Sequence, residues 1–497
     1  MVKNSLRVGL LFLYLFCGCL ALSAHELPKR KQEMRAVWLT TIYGLDWPKK
    51  PAANTRDEEQ QQRELVTILD RLERAGINTV FLQVRGRGTL IYPSELESMS
   101  PDFLSTRSQG SLGYDPLAFA IDECNKRGIA LHVWYVVIPL GNDRYARRLP
   151  ANAYVNKYRQ SCLHYQGEWY MDPARVETAF HMRRLVKELL DHYDVAGIHL
   201  DYIRYPDNAQ RFPDANMHRS MGRGVPLEDW RRGNIEKIVA EVKDEINHHK
   251  KSVLLSTAVL GAYRELPTAK RRIGWTAYSD VYQDPAAWGK KGLVDFIVPM
   301  LYYKDDRFAP YVRDWLNVMN GTPIVMGLGA YRVLNNEGNW APKIVLDQVD
   351  QIGSNRKIAG AILFRTEQLL DQKHGLYRGI SQRWGYEKRL PYIYKSSEGF
   401  SDNAVRDLML EKQVDGLKVS WKGGGEYYTI YLTKECDEPN LDTDLYTITR
   451  DSEVVIPWNE IEKETTIYIK VGSYMSTLSL EALEPVGALY YNTENEK

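Results

Sequence analysis

The run Gly197-Ile198-His199-Leu200-Asp201-Tyr202-Ile203-Arg204-Tyr205-Pro206 is strand-like and reaches a carboxylate just before a turn. As a strand it places Ile198 and Leu200 on one face, His199 and Asp201 on the other. The first face suits packing beneath helices. An imidazole and a carboxylate on the second are groups that a core accepts only with partners. Helical patterns precede the run (174–193) and follow it (227–249), and the carboxyl end of a strand between helices is where α/β enzymes hold catalytic groups. Asp201 is therefore the leading catalytic candidate, with Arg204 close enough in sequence to keep it ionised.

The same parity recurs elsewhere. In Thr79–Arg85, Gln83 and Arg85 oppose Val80, Leu82 and Val84; in Ala130–Val137, His132 and Trp134 oppose Leu131 and Val133. Further runs end in Pro299-Met300-Leu301-Tyr302-Tyr303 and Phe364-Arg365-Thr366-Glu367. If these ends converge, they form a polar cleft with aromatic walls, in which Trp134 and Tyr302 can stack on sugar rings. The expected substrate-binding set is Trp38, Gln83, Arg85, His132, Trp134, His199, Arg204 and Tyr302.

No G-x-S-x-G elbow, phosphate-binding loop or H-E-x-x-H motif occurs. Nothing in the spacing of His132, His199 and Asp201 compels a metal, and no cofactor is expected. Carboxylate chemistry is then the leading option, and glycoside hydrolysis needs one acid and one ionised carboxylate. Asp201 is assigned the ionised role. Asp46, Asp284, Asp306 and Glu367 compete for the other. Asp284 precedes Pro285 and reads as a helix N-cap, Asp306 lies in a charged loop, and Glu367 is the choice.

Positioning these groups takes a regular scaffold. Apolar runs at 36–41, 79–84, 130–137, 197–201, 253–259, 296–302, 324–329 and 359–364 alternate with helical patterns at about 57–75, 116–128, 174–193, 227–249, 284–291, 310–320, 342–354 and 376–384. Eight of each predict a (β/α)8 TIM barrel over residues 33–386. A doubly wound open sheet would be expected to carry a Gly-rich turn after its first strand. A linker follows at 387–402. Short alternating runs over 403–497, separated by turns such as Gly423-Gly424-Gly425, predict a small C-terminal β-sandwich of fibronectin type III or immunoglobulin-like kind.

Residues 1–24 have the layout of a secretory signal peptide: Lys3 and Arg7, an apolar run from Val8 to Leu22, then Ser23 and Ala24. Cys19 within it could carry a lipid, the only membrane attachment expected, so the protein is expected to be periplasmic or an outer-membrane lipoprotein. Beyond this segment only Cys124, Cys162 and Cys436 remain, too few for a disulfide framework. The chain has 65 basic and 64 acidic residues, which gives no electrostatic reason to expect nucleic acid. Its bias is aromatic, with 32 Tyr and 12 Trp against 11 Phe, a supply of flat amphipathic rings that suits carbohydrate.

The strand-end motifs resemble those of the bacterial glycosyl-hydrolase-like family ten. The stretches that carry the resemblance are Glu33 to Thr41, Gly44-Leu45-Asp46-Trp47-Pro48, Phe81-Leu82-Gln83-Val84-Arg85, Tyr114-Asp115-Pro116-Leu117, His199-Leu200-Asp201-Tyr202, Val281-Tyr282-Gln283-Asp284 and Pro299-Met300-Leu301-Tyr302. It implies a (β/α)8 glycosidase fold acting on bacterial or environmental glycans, and Asp201 matches a carboxylate of the family motif. One stretch departs: His132-Val133-Trp134 continues as Tyr135-Val136-Val137-Ile138-Pro139 where many relatives carry a polar Asn-Pro-Tyr-Arg run. The expected function is an exported glycoside hydrolase acting on an oligosaccharide or polysaccharide. The alternative is a non-catalytic glycan-binding protein on the same barrel, and the fold alone cannot choose between them.

Overall fold

Strands buried on both faces need apolar residues on both, and the sequence provides them. In β1 (Met34–Leu39) every residue is buried: Met34, Ala36 and Trp38 point into one hydrophobic cluster, Val37 and Leu39 into another. The computed structural model describes residues 33–105, 111–249, 253–267 and 273–385, with 406–422, 428–434, 445–449, 451–461, 465–471 and 488–490 towards the C-terminus. The leader with Cys19, the linker 387–402 and the strand-like run 477–482 lie outside the described residues.

After β1 come α1 (Thr55–Arg74), β2 (Thr79–Gly86), α2 (Pro116–Asn125), β3 (Ala130–Val136), α3 (Val176–His192), β4 (Gly197–Asp201), α4 (Leu227–His248) and β5 (Leu254–Leu260). Then follow α5 (Pro285–Lys290), β6 (Phe296–Met300), α6 (Phe308–Val318), β7 (Val325–Leu328), α7 (Pro342–Gly353), β8 (Gly360–Leu363) and α8 (Leu376–Trp384). Each strand pairs in parallel with the next, and β1 pairs with both β2 and β8, so the sheet closes on itself. This is the (β/α)8 barrel that the alternation predicts. At the closing seam Met34 lies opposite Gly360, where a Cβ would meet the Met34 carbonyl oxygen at 2.1 Å; only glycine admits that approach.

Helix starts are fixed locally. Asn54 caps α1 by accepting the Asp57 N–H, and Asp115 caps α2 by accepting those of Leu117 and Ala118 with Pro116 next in line. Asp284 caps α5 through the Ala287 N–H, as the Asp-Pro pair predicts.

Between β3 and α3 the chain leaves the barrel to form an antiparallel sheet of Pro139–Asn142, Cys162–Tyr165 and Glu168–Met171. The stretch that departs from the family pattern, 135–139, leads directly into this sheet. Towards the C-terminus two small antiparallel sheets form. One contains 406–412, 416–422 and 453–457; the other 428–434, 445–449, 465–471 and 488–490. Leu417, Val419, Trp421 and Ile456 of the first share a hydrophobic cluster with Tyr428, Ile430 and Ile467 of the second, so the sheets pack face to face. The alternating runs at 417–421, 427–432, 445–449, 454–457 and 466–471 mark five of these strands, and those at 406–412 and 488–490 come in addition.

Candidate active site

Asp201 ends β4 at the mouth of the barrel, and its carboxylate is buried against Trp134 of β3. Trp134 Nε1 donates to Oδ2 at 3.1 Å, and the Tyr202 backbone N–H donates to Oδ1 at 2.7 Å. Burial pushes this carboxyl up to about 6, against the lowering pull of the Tyr202 N–H, the Arg204 charge and the Trp134 donor. Arg204 does not bond Asp201. Its Nη1 is taken by Asp207 Oδ1 at 2.8 Å and the Tyr205 carbonyl at 3.2 Å, while the guanidinium lies 4.7 Å from the Tyr202 ring. At neutral pH the Asp201 carboxyl is still mostly ionised, but it takes up a proton far more readily than an ordinary aspartate.

Beneath it the barrel interior is aromatic. Trp38 Nε1 donates to His199 Nε2 at 3.3 Å, so the other ring nitrogen of His199 carries the proton and donates to Ser256 Oγ at 2.9 Å. Burial drives both interior imidazoles towards neutrality, His132 down to about 3 and His199 well below its ordinary value. His132 stacks on Phe81 with ring centres 4.7 Å apart. These two histidines are therefore neutral groups within the barrel, and His199 orients the Trp38 ring. Trp38 lies 6.5 Å from Trp134 and 5.8 Å from Phe364 between ring centres.

Tyr302, just past β6, is half-buried; it stacks on Phe364 with centres 6.0 Å apart and meets Tyr331 edge-on at 5.4 Å. Burial raises its hydroxyl well above the usual range, and Tyr331 and the Asp201 carboxylate add to the effect. The ring contacts of Trp38 with Trp134 and Phe364, and of Phe364 with Tyr302, link Tyr302 to Trp134 and so to Asp201.

Gln83 and Arg85 are engaged by protein. Gln83 Oε1 accepts the N–H groups of Thr41 (3.0 Å) and Ile42 (3.3 Å), tying down the loop after β1. Arg85 is fully buried, bidentate to Glu97 at 2.8 and 2.6 Å and bonded to the Val136 and Val137 carbonyls. Simple alternation puts Arg85 on the face of Gln83, but the β2–β3 register slips between them, and Arg85 pairs with outward-facing Tyr135. Burial opposes the Glu97 charge, yet Arg85 and His181 hold that carboxyl at about 2.

Glu367 stands at the start of a short helix (Thr366–Leu370) beyond β8, with 46% of its side chain exposed. Lys49 Nζ lies at 3.3 Å and Arg365 Nη2 at 2.9 Å. It opens on a cavity of about 640 Å³ lined by Asp46, Lys49, Ile68, Arg71, Lys373 and neighbours, whose walls include none of Asp201, Trp134 and Tyr302. Asp46 is enclosed, accepting from Thr40 N–H (2.8 Å) and Oγ1 (2.7 Å), from Arg365 (2.5 Å) and from the Glu367 N–H (2.8 Å). It joins β1 to β8. Tyr43 and Tyr331 escaped the sequence reading because they lie in short 3-10 turns after β1 and β7, where no periodicity marks a facing, and Tyr202 entered it only as part of a motif.

A family model described as glycosyl hydrolase-like 10 matches residues 33–337. Glycosyl hydrolase DigH of Escherichia coli K12 is 30% identical over 388 residues, covering 71% of this chain and 88% of its own length. Glycosyl hydrolase YngK of Bacillus subtilis 168 is 27% identical over 369 residues, covering 70% of this chain and 71% of its own length. Among solved structures, the PgaB (BpsB) glycoside hydrolase domain of Bordetella bronchiseptica aligns with a TM-score of 0.49 at 14% identity, over 72% of this chain and 99% of that domain.

Proposed function

This chain belongs to the glycosyl hydrolase-like 10 family, and from that premise we propose that it hydrolyses glycosidic bonds in a glycan with Asp201 as proton donor. The observation that carries the reading is the Asp201 carboxyl: buried at the end of β4, raised to about 6, and bonded by the Trp134 indole N–H. A glycosidase acid must still hold its proton near working pH, and burial of this kind is how a carboxyl does so. Half-buried Tyr302 and exposed Tyr202 offer ring faces at the mouth for the C–H faces of the sugar, whereas Trp134 is buried and serves Asp201 through its indole N–H.

Glu367 is the carboxylate proposed to complete the pair, since it stands just past the end of β8 with Lys49 and Arg365 beside it. Export is proposed from the leader, with Lys3, Arg7 and the run Val8 to Leu22 as support. The separate cavity at Glu367 favours one other reading, a protein that holds glycan on the Asp201 patch without cleaving it. One experiment decides. The protein is incubated with a panel of soluble bacterial and plant glycans, and released reducing ends are measured for wild type, Asp201→Asn and Glu367→Gln. Hydrolysis predicts turnover that falls more than about 100-fold in Asp201→Asn, roughly 2.7 kcal/mol of barrier. A loss under tenfold removes Asp201 from the chemistry, and an unchanged Glu367→Gln rate removes Glu367. Binding without any release by wild type establishes the second reading.

A further inference from the structure

Aromatic side chains largely open to solvent are few on the barrel. Among its described residues they are Tyr43, Phe180, Tyr202 and Trp275, exposed by 66, 48, 43 and 45%. Phe180 lies on α3. The other three all stand on loops that leave the C-terminal ends of strands: Tyr43 after β1, Tyr202 after β4 and Trp275 after β5. In the closed ring β1 and β5 are four strands apart in either direction, so Tyr43 and Trp275 occupy opposite rims. Asp201 and Tyr202 lie on the arc between them.

The backbone beneath each ring is held in place though the ring faces water. Tyr43 has φ +58° and Tyr202 φ +47°, a backbone region that bulky residues avoid unless their surroundings impose it. Gln83 imposes it at Tyr43 by bonding the two preceding N–H groups, and the Arg87 guanidinium lies 4.1 Å from the Tyr43 ring. Arg87 is itself fixed, 4.0 Å from the Tyr145 ring and paired with Asp102. Around Trp275, the Ile273 N–H bonds Glu265, the Thr276 N–H and hydroxyl both bond Asp280 at 2.8 Å, and Ala277 N–H bonds the Ala262 carbonyl. Ordered backbone beneath an exposed ring reduces the entropy lost when a ligand stacks on it.

We propose that Tyr43, Tyr202 and Trp275 form a track of stacking platforms on which an extended glycan crosses the mouth past Asp201, so that the protein engages internal units of a polymer rather than a chain end. The proposal rests on the glycan reading above. Pyranose rings present apolar C–H faces that match aromatic rings, whereas a single sugar unit bound at Asp201 would leave both rims uncovered.

The test uses full-length wild type, Tyr43→Ala, Trp275→Ala and the control Phe180→Ala. Binding to glycol chitin and to peptide-free bacterial cell-wall glycan strands is measured by affinity electrophoresis. Product sizes and kcat/KM are measured on whichever of these is cleaved and on its oligosaccharides of two to eight units. The track predicts mid-length products early in the reaction. It predicts that the long-to-short ratio of kcat/KM falls about tenfold in each rim variant, 1.4 kcal/mol apiece, while Phe180→Ala leaves that ratio unchanged. Circular dichroism confirms that the variants fold. Only mono- or disaccharide products from wild type, or rim variants that lose long and short substrates alike, overturn the track. Polymer bound without cleavage overturns hydrolysis alone and supports the track if the rim variants lose that binding. Polymer neither bound nor cleaved overturns both.

Discussion

At Asp201 two neutral N–H donors hold a carboxylate that burial is working to neutralise. As proton donor it must be protonated to act, so kcat/KM should fall as pH rises through about 6. Trp134→Phe keeps the ring and removes the Nε1–H that favours the anion. The descending limb should then move to higher pH, read from a pH–rate profile; a limb that stays in place would mean that another group sets it. Stability follows the same proton. The folded carboxyl is raised from 3.8 to about 6, so in that window the native state holds a proton that the unfolded chain has released, and stability declines as pH rises through it. The cost above pH 6 is about 3 kcal/mol. Asp201→Asn removes it but sets an amide N–H₂ against one of the two donors. The variant should therefore gain about 1–2 kcal/mol at pH 7.5 and nothing below about pH 4, measured by urea unfolding. Facing was legible here: parity alone turns His199 and Asp201 to the same side of β4, where they meet Trp38 and Trp134. What parity cannot supply is the environment, which makes His199 a neutral support for Trp38 and leaves Arg204 to Asp207.

Individual elements were legible wherever hydrophobic period and caps agree. The run at 197–201 and the helix at 376–384 fall where the pattern puts them, because a buried parallel strand and an amphipathic helix differ in period as well as length. Arg85 was misplaced because a one-residue register slip leaves no trace in alternation. The sheet inserted after β3 was missed because its short strands are only partly buried and lack a sustained pattern. Within β4, Gly197 is set by what faces it. A Cβ there would come 2.2 Å from the His132 ring and 2.9 Å from the Leu254 carbonyl. Neither can retreat inside a packed barrel, so Gly197→Ala should cost about 3 kcal/mol, the upper range for overpacking, and shift the unfolding midpoint accordingly. A midpoint within error of wild type would mean that His132 has room to turn.

For the whole molecule, the alternation of strands and helices was enough to predict the barrel, since few topologies bury so many two-sided strands. The C-terminal sheets have a hydrophobic cluster of their own, built from Leu417, Val419, Trp421, Tyr428, Ile430, Ile456 and Ile467. A protein ending at Gly385 should accordingly stay soluble, unfold in one cooperative step and keep its rate on short oligosaccharides. A folded but inactive product would make the C-terminal sheets part of the reaction centre. The seam between β1 and β8 has a consequence in time. The backbone edge that Met34 to Val37 present to β8 is filled only when residues 360–363 have been made, so throughout synthesis the first strand waits with its edge open. Nascent chains arrested before residue 360 should bind holding chaperones and precipitate when released, whereas chains arrested well beyond Gly385 should resist protease, with the change falling at the last strand rather than gradually along the chain.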